Sequence, residues 1–510
     1  MFKNYFNLKL FEFNAIKNSV IVFFILSLLS GPFIPDLIVS ISALSILIGY
    51  IRFRTYFNSK YFLFIFIFWV YLVINSFISS IPLVSLTSSI PYIRFLFFIF
   101  FITVLFNNKS SLIFFFYSLL FVYLILLIDG IYQLSTGYNI LGYVLDGSKR
   151  VSSFFEKELI LGSFVSKTFA ILLFLIFFLK IKYKYFFYIF ILLVSGILVY
   201  LSRERSSFFV FFITTLFSIF LVEKKYIFKI FFTIISLFLI LIFIYSKPLE
   251  RFYYHTKFQF NETSAIFLSE RHKLHYDTAY KIFKEHPIFG AGIKSFRYLC
   301  SIDKYSVAND LLLNRKYITT SKKDGYYYYF EKFTVYPKDN IANDAILIIN
   351  KTFYEKYLLN HKNDLLFINQ LLKLEANSSQ YIFYSIDPKL NFHTKYKNFD
   401  YIKVGMDIFS YYEFKDGCNT HPHNVYVQFL SEIGIIGFLF LIGIFFFILK
   451  SLFIRIITYI KEDKISYDIV IFGFYFSVFF PLLPSGNFFN NYNSLLLYLP
   501  LSCIILCQRK

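Results

Sequence analysis

Long apolar runs without charge recur along this chain, and nothing constrains its folding more. They cover 19–35, 37–51, 61–79, 92–106, 111–129, 160–179, 185–201, 207–222, 228–246, 425–449, 468–484 and 492–507. Each is near the ~20 residues that carry an α-helix across a bilayer. Hydrocarbon offers no partner to backbone N–H and C=O groups, so a run of this length must satisfy them internally, as a helix does. Hydrophobic residues make up 57% of the chain, more apolar surface than a soluble core can hide. The expectation is an all-α polytopic membrane protein of about twelve spans. Gly31, Pro32 and Pro35 interrupt the first two runs, so this pair also reads as one broken hairpin. The 75 Phe beside a single Trp read as genomic compositional bias and carry no functional meaning.

The net charge of +20 invites a nucleic-acid reading, which its distribution excludes. The basic residues sit in short connectors: Lys3, Lys9 and Lys17; Arg52, Arg54 and Lys60; Lys109; Lys180, Lys182 and Lys184; Lys224 and Lys225; Lys450, Arg455, Lys461 and Lys464; Arg509 and Lys510. The alternate connectors 31–36, 80–91 and 485–491 hold no Lys or Arg. Positive charge is retained on the cytoplasmic side, so both termini are expected there. Residues 1–18 read as a polar interfacial segment, and the first run lacks a small-residue cleavage site.

This topology divides the chain into nine spans over 1–246, an extracytoplasmic loop over 247–424 and three spans over 425–510. The loop is too long to be a structureless connection. Its helical part is expected over 262–299, with polar and apolar faces through 262–285. Residues 301–416 read as a small mixed α/β insertion, strand-like at Ala345–Asn350 and Tyr381–Ile386 and helix-like at Asp364–Leu374. Cys300 and Cys418 bracket that insertion in an oxidising compartment, where a disulfide is expected; the alternative is two free thiols. Cys503 and Cys507 lie on the last span and read as buried apolar residues. No Cys-x-x-Cys spacing supports a zinc site.

Four polar clusters fall on the extracytoplasmic side. Ser202-Arg203-Glu204-Arg205-Ser206-Ser207 places two arginines in an outward turn, against the charge trend. Guanidinium groups bind phosphate oxygens bidentately and stay charged in a partly dry site. The bland alternative is pairing with Glu204 or snorkelling; Arg205 is favoured for function, and Arg203 is undecided. Arg271 precedes Pro287-Ile288-Phe289-Gly290-Ala291-Gly292-Ile293-Lys294-Ser295-Phe296-Arg297, where Gly290 and Gly292 permit a tight turn and close backbone approach. His421-Pro422-His423-Asn424 leads into the next span. A histidine can take a proton from a sugar hydroxyl near neutral pH, whereas helix capping would account for Asn424. Two histidines at i, i+2 also suit a metal, but no third ligand stands near them in sequence. Glu432 lies two turns inside that span and should have a partner, because a lone buried carboxylate is costly. Asp129, Gln133, Arg150 and Glu158 form the fourth cluster, which ordinary rim polarity would also explain.

Together these residues resemble the O-antigen ligase and polymerase superfamily of bacterial surface-polysaccharide assembly. The resemblance rests on the Glu-Arg turn at 202–207, Pro-x-x-Gly-x-Gly-x-x-x-Phe at 287–296, and His-x-His-Asn leading into Glu432-x-Gly-x-x-Gly437. Gln133-x-x-x-Gly137, Arg150-x-x-x-Phe154 and Glu158-Leu-Ile-Leu-Gly162 add to it, over roughly residues 90–450. It implies a GT-C type membrane glycosyltransferase of the bacterial inner membrane that uses neither metal nor other cofactor, with its large loop periplasmic. The implied donor is a glycan on undecaprenyl diphosphate. The acceptor is lipid A–core for a ligase, or another lipid-linked glycan for a polymerase, for which a chain-length regulator would be a partner. By motif, Arg205 and Arg271 would stabilise the diphosphate and His423 would be the general base. His421, Asn424, Arg150, Arg203, Gly290, Gly292 and Glu432 would shape substrate binding. The chain departs from the family in carrying Ser202-Arg203 where Gly commonly precedes the Glu-Arg pair, and in a longer insertion.

Ligation is favoured by the His-x-His-Asn and Glu-x-Gly-x-x-Gly pair, with polymerisation as the alternative. A transporter would need a midplane site and ion-coupling charges, whereas the polar residues here gather at one face. A scaffold with a dead site would tolerate loss of Arg205 or His423.

Overall fold

The computed structural model describes, apart from single positions, residues 16–49, 60–106, 108–146, 150–156, 158–228, 270–305 and 417–508, together with seven strands between 318 and 405. The helices before the loop are α1 (Ile16–Ser27), α2 (Phe33–Ile48), α3 (Lys60–Phe77), α4 (Pro82–Ser89), α5 (Ile93–Leu105), α6 (Lys109–Thr136), α7 (Leu161–Phe178), α8 (Lys184–Ser202) and α9 (Arg205–Ser218). The loop contributes α10 (Glu270–Glu285) and α11 (Phe296–Leu299). After it come α12 (Val425–Glu462), α13 (Ile469–Val478), α14 (Asn491–Tyr498) and α15 (Leu501–Gln508). Each expected span coincides with a described helix except 228–246, which lies outside the described residues. Among the described residues, five stretches are long and apolar enough to cross a membrane: Pro82–Leu105, α6, α7, α8 and α12.

Helix α7 is the centre of the bundle. Of its apolar window 89% is buried, and it packs against α6, α8, α9, α13 and α14. Lipid-facing helices leave apolar side chains outward, and Phe33, Leu44, Ile67 and Phe446 are all exposed. Caps set the element ends. The Asn108 side chain accepts from the N–H groups of Ser110 and Ser111 at the start of α6, and Gly137 closes that helix at φ 86°. Gly31, at φ 85°, turns the chain between α1 and α2, so the first two runs are separate helices.

Two sequence expectations need correction. The span expected over 425–449 belongs to a helix of 38 residues, so Lys450, Arg455 and Lys461 continue α12 and do not form a connector. Arg455 is held there by Asp468. In the insertion, Ala345–Asn350 and Tyr381–Ile386 are strands as expected, but Leu372–Leu374, the end of the helix-like stretch, is also a strand. The strands form two antiparallel sheets, in the orders β1-β2-β3 and β5-β6-β4-β7. In the central pair Ala345 faces Ile386 and Asn350 faces Tyr381.

Helix α12 is broken at Gly434, whose φ of 68° and ψ of −170° suit glycine alone. The break frees backbone groups that the Pro287–Gly292 segment then satisfies. Ala291 N–H donates to Ser431 O at 2.9 Å and Gly292 N–H to Glu432 O at 2.8 Å, while Ile435 N–H donates to Pro287 O at 2.9 Å. The Tyr71 hydroxyl donates to Ile433 O at 2.5 Å. A Cβ on Gly290 would run into the backbone of Glu432 and Ile433, and one on Gly434 into the Ile288 carbonyl. These glycines are therefore required by backbone-to-backbone packing inside the bundle.

Candidate active site

The arginine turn is built around a carboxylate. Arg203 ends α8 at φ 55°, and Glu204 stands at the N-cap of α9. Glu204 Oε1 accepts from Gly162 N–H at 3.0 Å, and Oε2 accepts from the Ser207 hydroxyl at 2.7 Å. Arg150 Nη2 lies 3.8 Å from Glu204, while its Nε donates to Ser202 O at 3.1 Å and its Nη2 to Leu159 O at 3.2 Å. A Cβ on Gly162 would strike the Ser202 side chain, which is why the start of α7 needs glycine. Burial raises the Glu204 carboxyl above its usual range, against the opposing pull of Ser207, Arg150, Gly162 and Lys167. Burial likewise lowers Arg150, against Glu204. The contacts of Arg150 are thus those of a positioning residue. Asp129 and Gln133 do similar work nearby. Asp129 accepts from Ile140 N–H and the Ser153 hydroxyl, and Gln133 Oε1 accepts from Ser152 and Ser153 N–H.

The histidine segment docks on the connection after α13. Asn424 caps α12, its Oδ1 accepting from Tyr426 and Val427 N–H while its Nδ2 donates to Pro481 O at 2.8 Å. Its capping role is therefore what the structure displays. His423 sits at φ 58°, and its carbonyl accepts from Ser485 N–H at 2.8 Å. The Asn419 amide is oriented by Thr420 N–H, which donates to Oδ1 at 2.7 Å; its Nδ2 then faces His423 Nε2 at 3.0 Å. An amide nitrogen only donates, so His423 Nε2 is the ring's acceptor, the state a general base requires. His421 is the reverse case. Its Nε2 donates to Ser485 O at 3.2 Å, and the Thr420 hydroxyl lies 3.0 Å from Nδ1.

Two further imidazoles, from α10, meet His423. The His423 ring centroid lies 4.2 Å from that of His421, 5.2 Å from His275 and 5.6 Å from His272. Neither of these two rings could be anticipated from the chain alone, because α10 lies about 150 positions upstream and only the fold brings it here. Even so, among the described residues no group of His, Cys, Asp and Glu has the arrangement of a metal site. Arg271 lies beside His272 on the same helix; its side chain falls outside the described residues. The expected disulfide is present between Cys300 and Cys418, with Cα atoms 4.9 Å apart. It ties the segment after α11 to the histidine segment.

Glu432 is fully buried, and its expected partner is Gln428, whose Nε2 donates to Glu432 Oε2 at 2.9 Å and to Asn487 Oδ1 at 2.8 Å. Gly290, Gly292 and Glu432 thus meet at the α12 break, and the contacts of the two glycines are with backbone and with Ser79 and Ser85. One cleft is lined by residues that follow both segments, Ser206 and Ser207 after the arginines and Val425 after Asn424, together with Ser485; none of Arg203, Arg205, His421 and His423 is among its lining residues. Asn419, His272, His275 and Ser485 were not singled out from the sequence. The Asn419 signal was its place four residues before His423; the rest required the fold.

His421 is pushed down to about 4, mainly by burial, with His275 and Arg297 adding to the shift and the Ser485 carbonyl opposing it. The unfolded chain, with an imidazole near 6.5, binds the proton first. Stability is therefore complete above about pH 6.5 and is lost as pH falls toward 4, by about 3 kcal/mol. Thermal unfolding in detergent should show this fall between pH 7.5 and 4.5, and His421→Gln should remove that part of it.

No curated protein and no solved structure matches the chain. A family model described as O-Antigen ligase matches residues 190–329, a stretch that holds the arginine turn, α10 with His272 and His275, and the Pro287–Phe296 segment but stops before the His421–Asn424 segment. That match supports the placement of this multi-pass membrane protein in the O-antigen ligase superfamily.

Proposed function

We propose that the protein transfers a glycan from undecaprenyl diphosphate to an acceptor sugar hydroxyl at the periplasmic face of the bacterial inner membrane, and that the reaction is ligation of O-antigen to lipid A–core. The observation that carries this reading is that one cleft is lined by residues directly following both segments, Ser206 and Ser207 after the arginine turn and Val425 after the histidine segment. The arginine turn carries guanidinium groups suited to a diphosphate. The histidine segment carries an imidazole whose Nε2 is an acceptor, held by Asn419. The alternation of basic and neutral connectors supports a periplasmic location for both.

In this reading His423 Nε2 takes the proton of the acceptor hydroxyl, displacing Asn419. The oxygen attacks the anomeric carbon, and the bond from that carbon to the diphosphate breaks with its electron pair leaving on the phosphate oxygen. Arg205 and Arg271 oppose the charge that develops there; fixed cations lower such a barrier because they need not reorganise. His421, Asn424 and Arg150 hold the loops in register, and Arg203 adds positive charge.

The test is the lipopolysaccharide profile of a deletion strain. Core without O-chain, with lipid-linked polymer accumulating, is the expected result. Core capped by a single repeat unit would assign polymerisation in its place. A normal profile would overturn both.

A further inference from the structure

Lys167 is a cation on the central apolar helix, about 9 Å along α7 from its start at the helical rise per residue. Charge at such a position is costly and calls for a reason. Its ammonium group donates to Asn493 Oδ1. It lies on the cleft described above, among the hydroxyl-bearing Ser163, Ser166, Ser206 and Ser207. Ser485 also lines it, and its buried hydroxyl has no hydrogen-bond partner among the described residues. The lining further includes the apolar Val210, Val478 and Leu483. The cleft therefore combines groups that suit an anion rich in acceptor oxygens with apolar surface that suits a hydrocarbon chain. The charges nearby agree: Arg150 and Lys167 act on the Glu204 carboxylate, Asp146 and Arg203 act on Arg150, and Arg205 follows Glu204 in the chain, four cations against two carboxylates.

We infer that Lys167, with the serine hydroxyls around it, forms a phosphate subsite of the cleft that takes a phosphate group of the polyprenyl donor while the isoprenoid chain lies along the apolar surface. This rests on the donor chemistry proposed above and adds a residue to it. A purely structural lysine would serve Asn493 and Glu204 alone. It would not need to share a cleft with five serines, one of them Ser485, whose buried hydroxyl has no hydrogen-bond partner among the described residues.

The experiment uses the full-length protein in nanodiscs and measures binding of undecaprenyl phosphate, undecaprenol and inorganic pyrophosphate. Wild type should bind undecaprenyl phosphate at least tenfold more tightly than undecaprenol, and more tightly than pyrophosphate. Lys167→Gln should lose most of the preference for phosphate over alcohol, while Lys167→Arg keeps most of it. Ser485→Ala, a change with little bearing on the fold, should weaken the preference about threefold, as loss of one hydrogen bond does. Undiminished preference in both Lys167→Gln and Ser485→Ala would overturn the subsite and leave the donor assignment standing. No preference for phosphate in wild type would overturn the donor assignment with it. Equal affinity for pyrophosphate would show a site for free phosphate and overturn the lipid part.

Discussion

Replacement of His423 by alanine is expected to lower glycan transfer by about 10²–10⁴-fold, the usual contribution of a positioned general base. The two histidines of this segment are not equivalent. His421 has both ring nitrogens engaged, donates to Ser485 and is pushed down to about 4, so it is a poor base near neutral pH. His423 presents an acceptor nitrogen, Nε2, to the Asn419 amide, whose place a substrate hydroxyl would take in the proposed reaction. Arg205→Ala should cost about 10²–10³-fold through loss of charge stabilisation, and Arg205→Lys should recover little, because a point charge does not replace a planar fork. The double variant should lose less than the product of the two, since base and cation act on one transition state. The readout is transfer by purified protein from an undecaprenyl-diphosphate-linked glycan. Activity of His423→Ala within tenfold of wild type would remove this residue from the chemistry.

The second large effect concerns the fold. Gly434→Ala should destabilise the protein by several kcal/mol. About 1–3 kcal/mol comes from the backbone conformation alone, and the collision of a Cβ with Ile288 adds to it. Relief would need the Pro287–Gly292 segment to withdraw, which would strip partners from Ser431 and Glu432 carbonyls inside the bundle. Gly290→Ala attacks the same contact from the other side, so the two changes together should cost less than their sum. Gly443→Ala on the same helix meets nothing within 4 Å and should be neutral. Thermal unfolding in detergent, with trypsin susceptibility as a second probe, separates these cases. Equal midpoints for Gly434→Ala and Gly443→Ala would refute the account.

What could be read in advance divides along physical lines. Span positions followed from hydropathy, because a helix in hydrocarbon satisfies its backbone from its own sequence. The Cys300–Cys418 bridge was legible from compartment and placement. Asn424 as a cap and Glu432 as a partnered acid were legible because each need is local. The reach of α12 was not, since Lys450 and Arg455 look like a connector until Asp468 is seen to neutralise the second of them. The packing partner of Gly290 and Gly292 was not legible for a related reason. A glycine pair announces close approach but does not say to what, and here the neighbour is a broken helix more than 130 positions downstream. His272 and His275 meet His423 only through tertiary packing of α10 on α12.

The short distance between Cys300 and Cys418 has an evolutionary consequence. The two ends of the segment between them are pinned with Cα atoms 4.9 Å apart, across a separation of 118 residues. Loop closure costs only about 0.6 kcal/mol more for each doubling of length, and the covalent link fixes the two ends whatever the length between them. Insertions and deletions inside the segment can therefore accumulate between lineages as in a cassette, with the histidines beside Cys418 held in place.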